Sequence, residues 1–232
     1  MIHAGAAAGK NIKNAIILTN QIVDMQSTQS LNIVLLPDAS TQKVAIELSR
    51  KLAGQYPTEF ELNQTNILPH VTIYQADFPE SNLEKIKSAI DKISSHTKKF
   101  DITLSTFSFL SNFIFWNVVI SDEIKSLHEK IVEELNPLRN GIVKKELLEV
   151  KDFYPGDQSD IRKYGSLLIG PNYLPHLTIT CFKKTSNEKQ ILDLFNGQEK
   201  ISFTIDKLHL GILGQFGTVN KIIHSWKLLD TF

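Results

Sequence analysis

The sequence predicts a mixed helix-and-strand fold in which one unit is built twice. Two tracts carry the repeat: Leu68-Pro69-His70-Val71-Thr72-Ile73 and Leu174-Pro175-His176-Leu177-Thr178-Ile179. Each falls at the same place in a run of segments whose hydrophobic period alternates between that of a strand and that of a helix. The composition allows this: 42% hydrophobic and 22% charged residues over 232 positions suit one α/β domain or two fused lobes.

The first unit opens with an apolar run over 31–36, bounded by Pro37 and Asp38, which reads as a buried strand. A helix follows, with Val44, Leu48 and Leu52 on one stripe. The first His-Thr strand covers 70–75. A helix over 81–94 then turns Leu83, Ile86 and Ile90 inward, and Ser81 with Glu84 has the spacing of a capping box. A strand from Phe100 carries Ile102 and Leu104 in alternation. The second unit replays the order, with a strand over 112–120 and a helix over 121–135 whose stripe is Ile124, Leu127, Ile131 and Leu135. The second His-Thr strand covers 176–182, a helix lies near 187–195, a strand spans 201–210 and a last strand spans 219–228.

The units differ in one place. From Ile33 to His70 the chain advances 37 positions, but from Val118 to His176 it advances 58. The surplus, about twenty residues by repeat alignment, lies within 138–173. It contains Lys144, Lys145, Lys151, Arg162, Lys163, Tyr154, Tyr164 and Tyr173, with turns at Pro155-Gly156-Asp157 and Gly170-Pro171-Asn172. Long connections inside compact domains often serve as lids or binding loops.

Formal net charge is zero, so nothing suggests broad non-specific attraction to nucleic acid or membrane, while a local basic groove stays open because net charge does not report distribution. The lone Cys181 excludes an internal disulfide framework and a cysteine-rich zinc site, and fits a reducing, cytoplasmic compartment. No apolar run reaches the roughly 18–20 residues of a membrane span. Residues 1–30, Ala/Gly-rich at first and polar at 26–30, read as an N-terminal extension or leader before a single domain over 31–232.

Side chains alternate between the faces of a strand, so His70 and Thr72 share one face while Val71 and Ile73 enter the core. The same holds for His176 and Thr178. Two histidines and two hydroxyls can then converge on one anion. Imidazole titrates near neutrality, so one ring can draw a proton from water attacking phosphorus while the other delivers a proton to the departing ribose oxygen. The threonine hydroxyls would donate to the non-bridging oxygens. This scheme requires neither metal nor cofactor, and which histidine is the base stays open.

The paired His-apolar-Thr-apolar strands resemble those of the 2H phosphoesterase superfamily, which includes the bacterial 2′-5′ RNA ligase-like proteins. The resemblance extends over about 31–228. It implies an α+β fold of two similar lobes, each an antiparallel sheet with outer helices, around a central cleft floored by the motifs. It implies His70 and His176 as the catalytic pair and Thr72 and Thr178 as phosphate-binding residues. Implied substrates are 2′,3′-cyclic phosphate RNA ends, 2′-5′-linked oligonucleotides and small cyclic nucleotides. A non-catalytic nucleotide- or RNA-binding module and a reversible 2′-5′ RNA ligase are the alternatives. The expected state is a monomer without membrane attachment.

Candidate base or rim contacts are Tyr74 and, from the insertion, Tyr173, Tyr164, Arg162 and Lys163. Tyr74 at i+4 from His70, like Thr180 at i+4 from His176, is expected on the motif face. His209 and His224 lack the carboxylate or cysteine spacing of a metal site. His128 and His96 read as surface residues and His3 as part of the leader. The glycine-containing segment 211–217 reads as a hairpin connection.

Overall fold

The structure, a computed structural model, describes residues 27–149, 158–184 and 187–230. Most of the expected extension, together with Lys151 and Tyr154 of the insertion, lies outside the described residues. In chain order the elements are β1 (Thr28–Leu35), α1 (Ala39–Ala53), β2 (Val71–Pro79), α2 (Leu83–Ser94), β3 (Phe100–Leu110), β4 (Phe113–Val118) and α3 (Asp122–Leu135). Then follow α4 (Lys145–Leu148), α5 (Gln158–Tyr164), β5 (His176–Cys181), α6 (Glu188–Asp193), β6 (Ile201–Ile205), β7 (Lys207–Leu213) and β8 (Val219–Lys227).

Local chemistry explains most boundaries. Asp38 caps α1 by accepting from the Thr41 amide at 2.7 Å, and Ser121 caps α3. β1 begins at Thr28, earlier than the polarity of 26–30 suggests, because Ser30 Oγ donates to Asp77 Oδ1 of β2 at 2.5 Å and holds the polar end in the ladder. The Ser81 capping box does not form. Glu80–Asn82 is a 3₁₀ turn, and Glu84 pairs instead with Lys87. The strand expected over 201–210 is two strands, broken at Asp206.

Among the described residues, eight strands join one antiparallel sheet in the order β6-β3-β4-β5-β2-β1-β7-β8. This corrects the expectation of two sheets. The halves meet at β2 and β5 through the single pair Val71↔Leu177, both fully buried; joining there avoids two unpaired strand edges at the molecule's centre. Since only Asp206 separates β6 from β7, the outermost strand runs on into the seventh in order, and the sheet curls.

The repeat is visible as an exchange between units. β7 of the second unit pairs with β1 of the first, and β3 of the first pairs with β4 of the second. α1 packs against β5, and α3 against β2. A shared bulge marks the same position in both His-Thr strands. Ile33 faces Tyr74 while the next residue, Val34, faces Thr72, so Ile73 is extra. Ile114 faces Thr180 and Phe115 faces Thr178, so Ile179 is extra. One added residue inverts the alternation beyond it.

That inversion corrects the reading of Tyr74 and Thr180. Both leave the motif face and are fully buried. The Tyr74 hydroxyl donates within reach of Tyr164 O (2.8 Å) and Asn136 Oδ1 (3.0 Å), and the Thr180 hydroxyl donates to Phe60 O at 2.7 Å. Each hydroxyl thus ties its strand to the connection after the other unit's helix.

The insertion has short helices of its own, α4 and α5, folded around Arg139. This side chain is 2% exposed; its Nη2 donates to the carbonyls of Arg162 (3.2 Å) and Lys163 (2.9 Å), and its Nη1 to that of Ile142. Gly165 (φ +71°) follows α5, and a Cβ there would collide with the Arg139 guanidinium. Among the described residues, no helix is long and apolar enough to cross a membrane.

Candidate active site

His70 immediately precedes β2 and His176 opens β5, each delivered by its Leu-Pro. Both line one cleft with Thr72 and Thr178. The rings are fixed alike. Nδ1 of His70 lies 2.7 Å from Leu68 O, and Nδ1 of His176 lies 2.7 Å from Leu174 O. A carbonyl can only accept, so each Nδ1 carries a proton; Nε2 of His176 is left for a ligand, while the Gly217 backbone also stands beside the His70 ring.

The surroundings break this symmetry. Burial pushes both imidazoles below the usual histidine range. For His70 two backbone bonds oppose that fall, one to Leu68 and one to Gly217. Among the described residues His176 has the Leu174 bond alone, and burial with the proximity of His70 lowers it to about 4. The His176 ring also stacks on Phe115, with centroids 3.6 Å apart.

Gly217 belongs to the turn between β7 and β8, so the hairpin expected over 211–217 exists and also reaches the cleft. Phe216 and Gly217 both have positive φ, at 57° and 75°. A left-handed phenylalanine is strained; here it places a ring that is 42% exposed at the cleft wall, beside the Gly217 backbone that meets His70. No periodicity in the sequence marks this role. Phe113, Phe115 and the 167–169 segment of the insertion complete the apolar walls. Gln75 takes the cleft position expected for Tyr74, as the bulge requires.

Among the described insertion residues singled out from sequence, only Tyr173 reaches the cleft. Its hydroxyl donates to Thr72 O at 3.1 Å, and its ring lies flat on His128 at 3.7 Å. His128 is therefore no surface residue: it is 1% exposed, its Nδ1 donates to Ile73 O at 2.7 Å, and its Nε2 accepts from the Gly170 amide at 3.0 Å. Tyr164 packs its ring against Gly170 outside the cleft, Lys163 sits over the Tyr164 ring, and Arg162 is exposed on α5. Among the described residues, no group of three or more His, Cys, Asp or Glu side chains could hold a metal ion.

The fold has solved counterparts. TT0787 of Thermus thermophilus matches with a TM-score of 0.56 at 11% identity, covering 86% of this chain and 97% of that one. E. coli LigT in its apo form matches at 0.50 and 11% identity, covering 87% and 98%, and its complex with NADP+ matches at the same score. No curated protein sequence matches the chain. The family model described as the 2′-5′ RNA ligase superfamily matches residues 64–214, a span that includes both histidines and both threonines. By that match the chain belongs to the 2′-5′ RNA ligase superfamily, the 2H phosphoesterases its paired tracts resemble.

Proposed function

We propose that the protein is a metal-independent phosphodiesterase acting on a nucleoside 2′,3′-cyclic phosphate, either free or as the end of an RNA. Superfamily membership supports phosphoesterase activity in general. The observation that carries the finer reading is the presence of two imidazoles in one cleft, each held through Nδ1 by the carbonyl two residues before it.

The unequal surroundings support a division of roles. His176, held neutral by burial and by His70, is the general base; its Nε2 takes a proton from water as the water oxygen attacks phosphorus. His70, whose protonated ring is favoured by the Gly217 backbone, is the general acid. It gives its Nε2 proton to the ribose oxygen as the P–O bond breaks. Water is thereby added across that bond, giving a phosphomonoester and a free hydroxyl. A proton returning from His176 to His70 through solvent resets the pair. Thr72 and Thr178 donate to the non-bridging oxygens.

The walls favour a small substrate with one phosphodiester charge. Among the described residues no Lys, Arg, Asp or Glu lines the cleft, whereas Phe113, Phe115 and Phe216 do. Aromatic faces hold single bases by stacking. E. coli LigT, a fold neighbour, is known in complex with NADP+, and a nucleotide ligand is what these walls suit.

Turnover of 2′,3′-cyclic nucleotides, 2′-5′ dinucleotides and cyclic-phosphate RNA, with product identification and with EDTA present, tests this reading. Hydrolysis of the cyclic phosphates to monoesters, unaffected by EDTA, is expected. Binding of the whole panel without product would establish the non-catalytic module instead.

A further inference from the structure

Asn32 is out of place by the rules of a strand core. It lies in the middle of β1 between Leu31 and Ile33, fully buried, where a β-branched or aliphatic residue would pack better. Its Oδ1 is buried and, among the described residues, has no hydrogen-bond partner. A buried acceptor left unmade destabilises the fold, so the residue carries a stability penalty that an apolar one would avoid.

Its amide nitrogen shows what the residue does. Nδ2 reaches Thr72 Oγ1 at 3.0 Å and Gln75 Oε1 at 3.4 Å, one proton for each. Both partners line the cleft. Rotating the amide by half a turn would exchange one unmet carbonyl for two unmet N–H bonds, a worse state in a buried site. With Nδ2 donating, the Thr72 oxygen is already an acceptor, and its own proton is free to point at a ligand. Gln75, with Oε1 engaged, is left with its NH₂ group to donate.

The second half of the sheet lacks this device. By the matched bulges, the positions equivalent to Asn32 and Gln75 are Phe113 and Cys181, which face each other across β4 and β5. The polar pair therefore serves one threonine only.

We propose that Asn32 is a positioning residue that holds Thr72 and Gln75 as paired donors toward the substrate's phosphate oxygens, and that Gln75 is a further phosphate-contacting residue. This rests on the phosphodiesterase reading for its kinetic consequence but not for its binding consequence. Inorganic phosphate, titrated calorimetrically, probes the donors without any turnover.

The test compares Asn32→Leu, Asn32→Asp and Gln75→Leu with the wild-type chain in thermal unfolding, phosphate affinity and hydrolysis of a 2′,3′-cyclic nucleotide. Asn32→Leu should unfold at the same temperature or higher, yet lose about tenfold in kcat/KM and in phosphate affinity, the loss of about one hydrogen bond to a charged group. Asn32→Asp should lose more, since its carboxylate draws the Thr72 proton away from the ligand. Gln75→Leu should lose about tenfold, and adding Asn32→Leu to it should cost less than the sum, because the two share one network. A purely structural Asn32 would lower the unfolding temperature and leave phosphate affinity alone, and that result overturns the proposal. So does wild-type kinetics in Asn32→Leu. Should Asn32→Leu not fold, unchanged phosphate affinity in Gln75→Leu overturns it equally. If the wild-type chain turns over no cyclic phosphate, the functional reading fails, and the phosphate titrations still decide the role of Asn32.

Discussion

β2 and β5 start from the same Leu-Pro-His-apolar-Thr-Ile tract and carry the same bulge, yet they present their histidines and threonines to different surroundings. On the β2 side His70 is 8% exposed, is bonded to the Leu68 carbonyl and lies beside the Gly217 backbone, and Thr72 is braced by Asn32 and by Tyr173. On the β5 side His176 is half-buried, stacks on Phe115, and, among the described residues, has a single backbone partner. Duplication supplies two equal reactive groups; the walls contributed by the β7–β8 turn and the insertion make them unequal. In the proposed mechanism that inequality sets which of the two imidazoles carries the proton when a substrate binds.

The largest effects should come from the histidines. His70→Ala and His176→Ala should each lower kcat by about 10²–10⁴-fold without changing the thermal unfolding midpoint by more than a few degrees. The donors come next. Thr72→Val should cost about 10²-fold, as removal of one transition-state donor does. The comparison sharpens if Thr178→Val costs clearly less, which would place the firmer phosphate grip on β2. A smaller effect is expected at the wall: Phe216→Ala should raise KM about tenfold for a cyclic nucleotide through lost stacking, and leave KM unchanged for a ribose cyclic phosphate lacking the base.

Stability should respond to acid in a defined direction. His176 and His209 are both held near 4 by burial, against 6.5 when unfolded. The unfolded chain therefore takes up protons first, and the stabilisation these neutral rings contribute, complete above about pH 6.5, is lost as pH falls toward 4. Urea unfolding across that range measures it. The smallest catalytic effect belongs to Tyr74→Phe, which should cost about 1–3 kcal/mol of stability through its orphaned partners and leave kcat/KM within twofold. A catalytic loss there would restore Tyr74 to the site.

The sequence made the repeat, its element order and the four motif residues legible, because strand periodicity and a duplicated tract are local signals. What it hid depends on single-residue events. The bulges at Ile73 and Ile179 leave no trace in hydrophobic pattern, and they exchanged Tyr74 for Gln75 on the cleft face. His128 sits among charged residues on α3, so only its contacts with Ile73 and Gly170 reveal that it clamps the insertion to β2. Phe216 and Gly217 reach the cleft through left-handed backbone in a turn whose glycines already had a sufficient local explanation. The single sheet follows from one long-range pair, Val71↔Leu177, which no local pattern encodes.

The unequal histidine pair is tested most directly by kcat/KM against pH for a 2′,3′-cyclic nucleotide in the wild-type chain, His70→Ala and His176→Ala. This quantity reports the free enzyme's groups. The wild-type profile should be a bell with its maximum on the acid side of neutrality and an acid limb near 4, set by His176. His176→Ala should lose that limb along with most of its activity, while residual activity in His70→Ala should keep it. The account is contradicted if both variants retain activity within tenfold of wild type, or if the acid limb disappears with His70 instead.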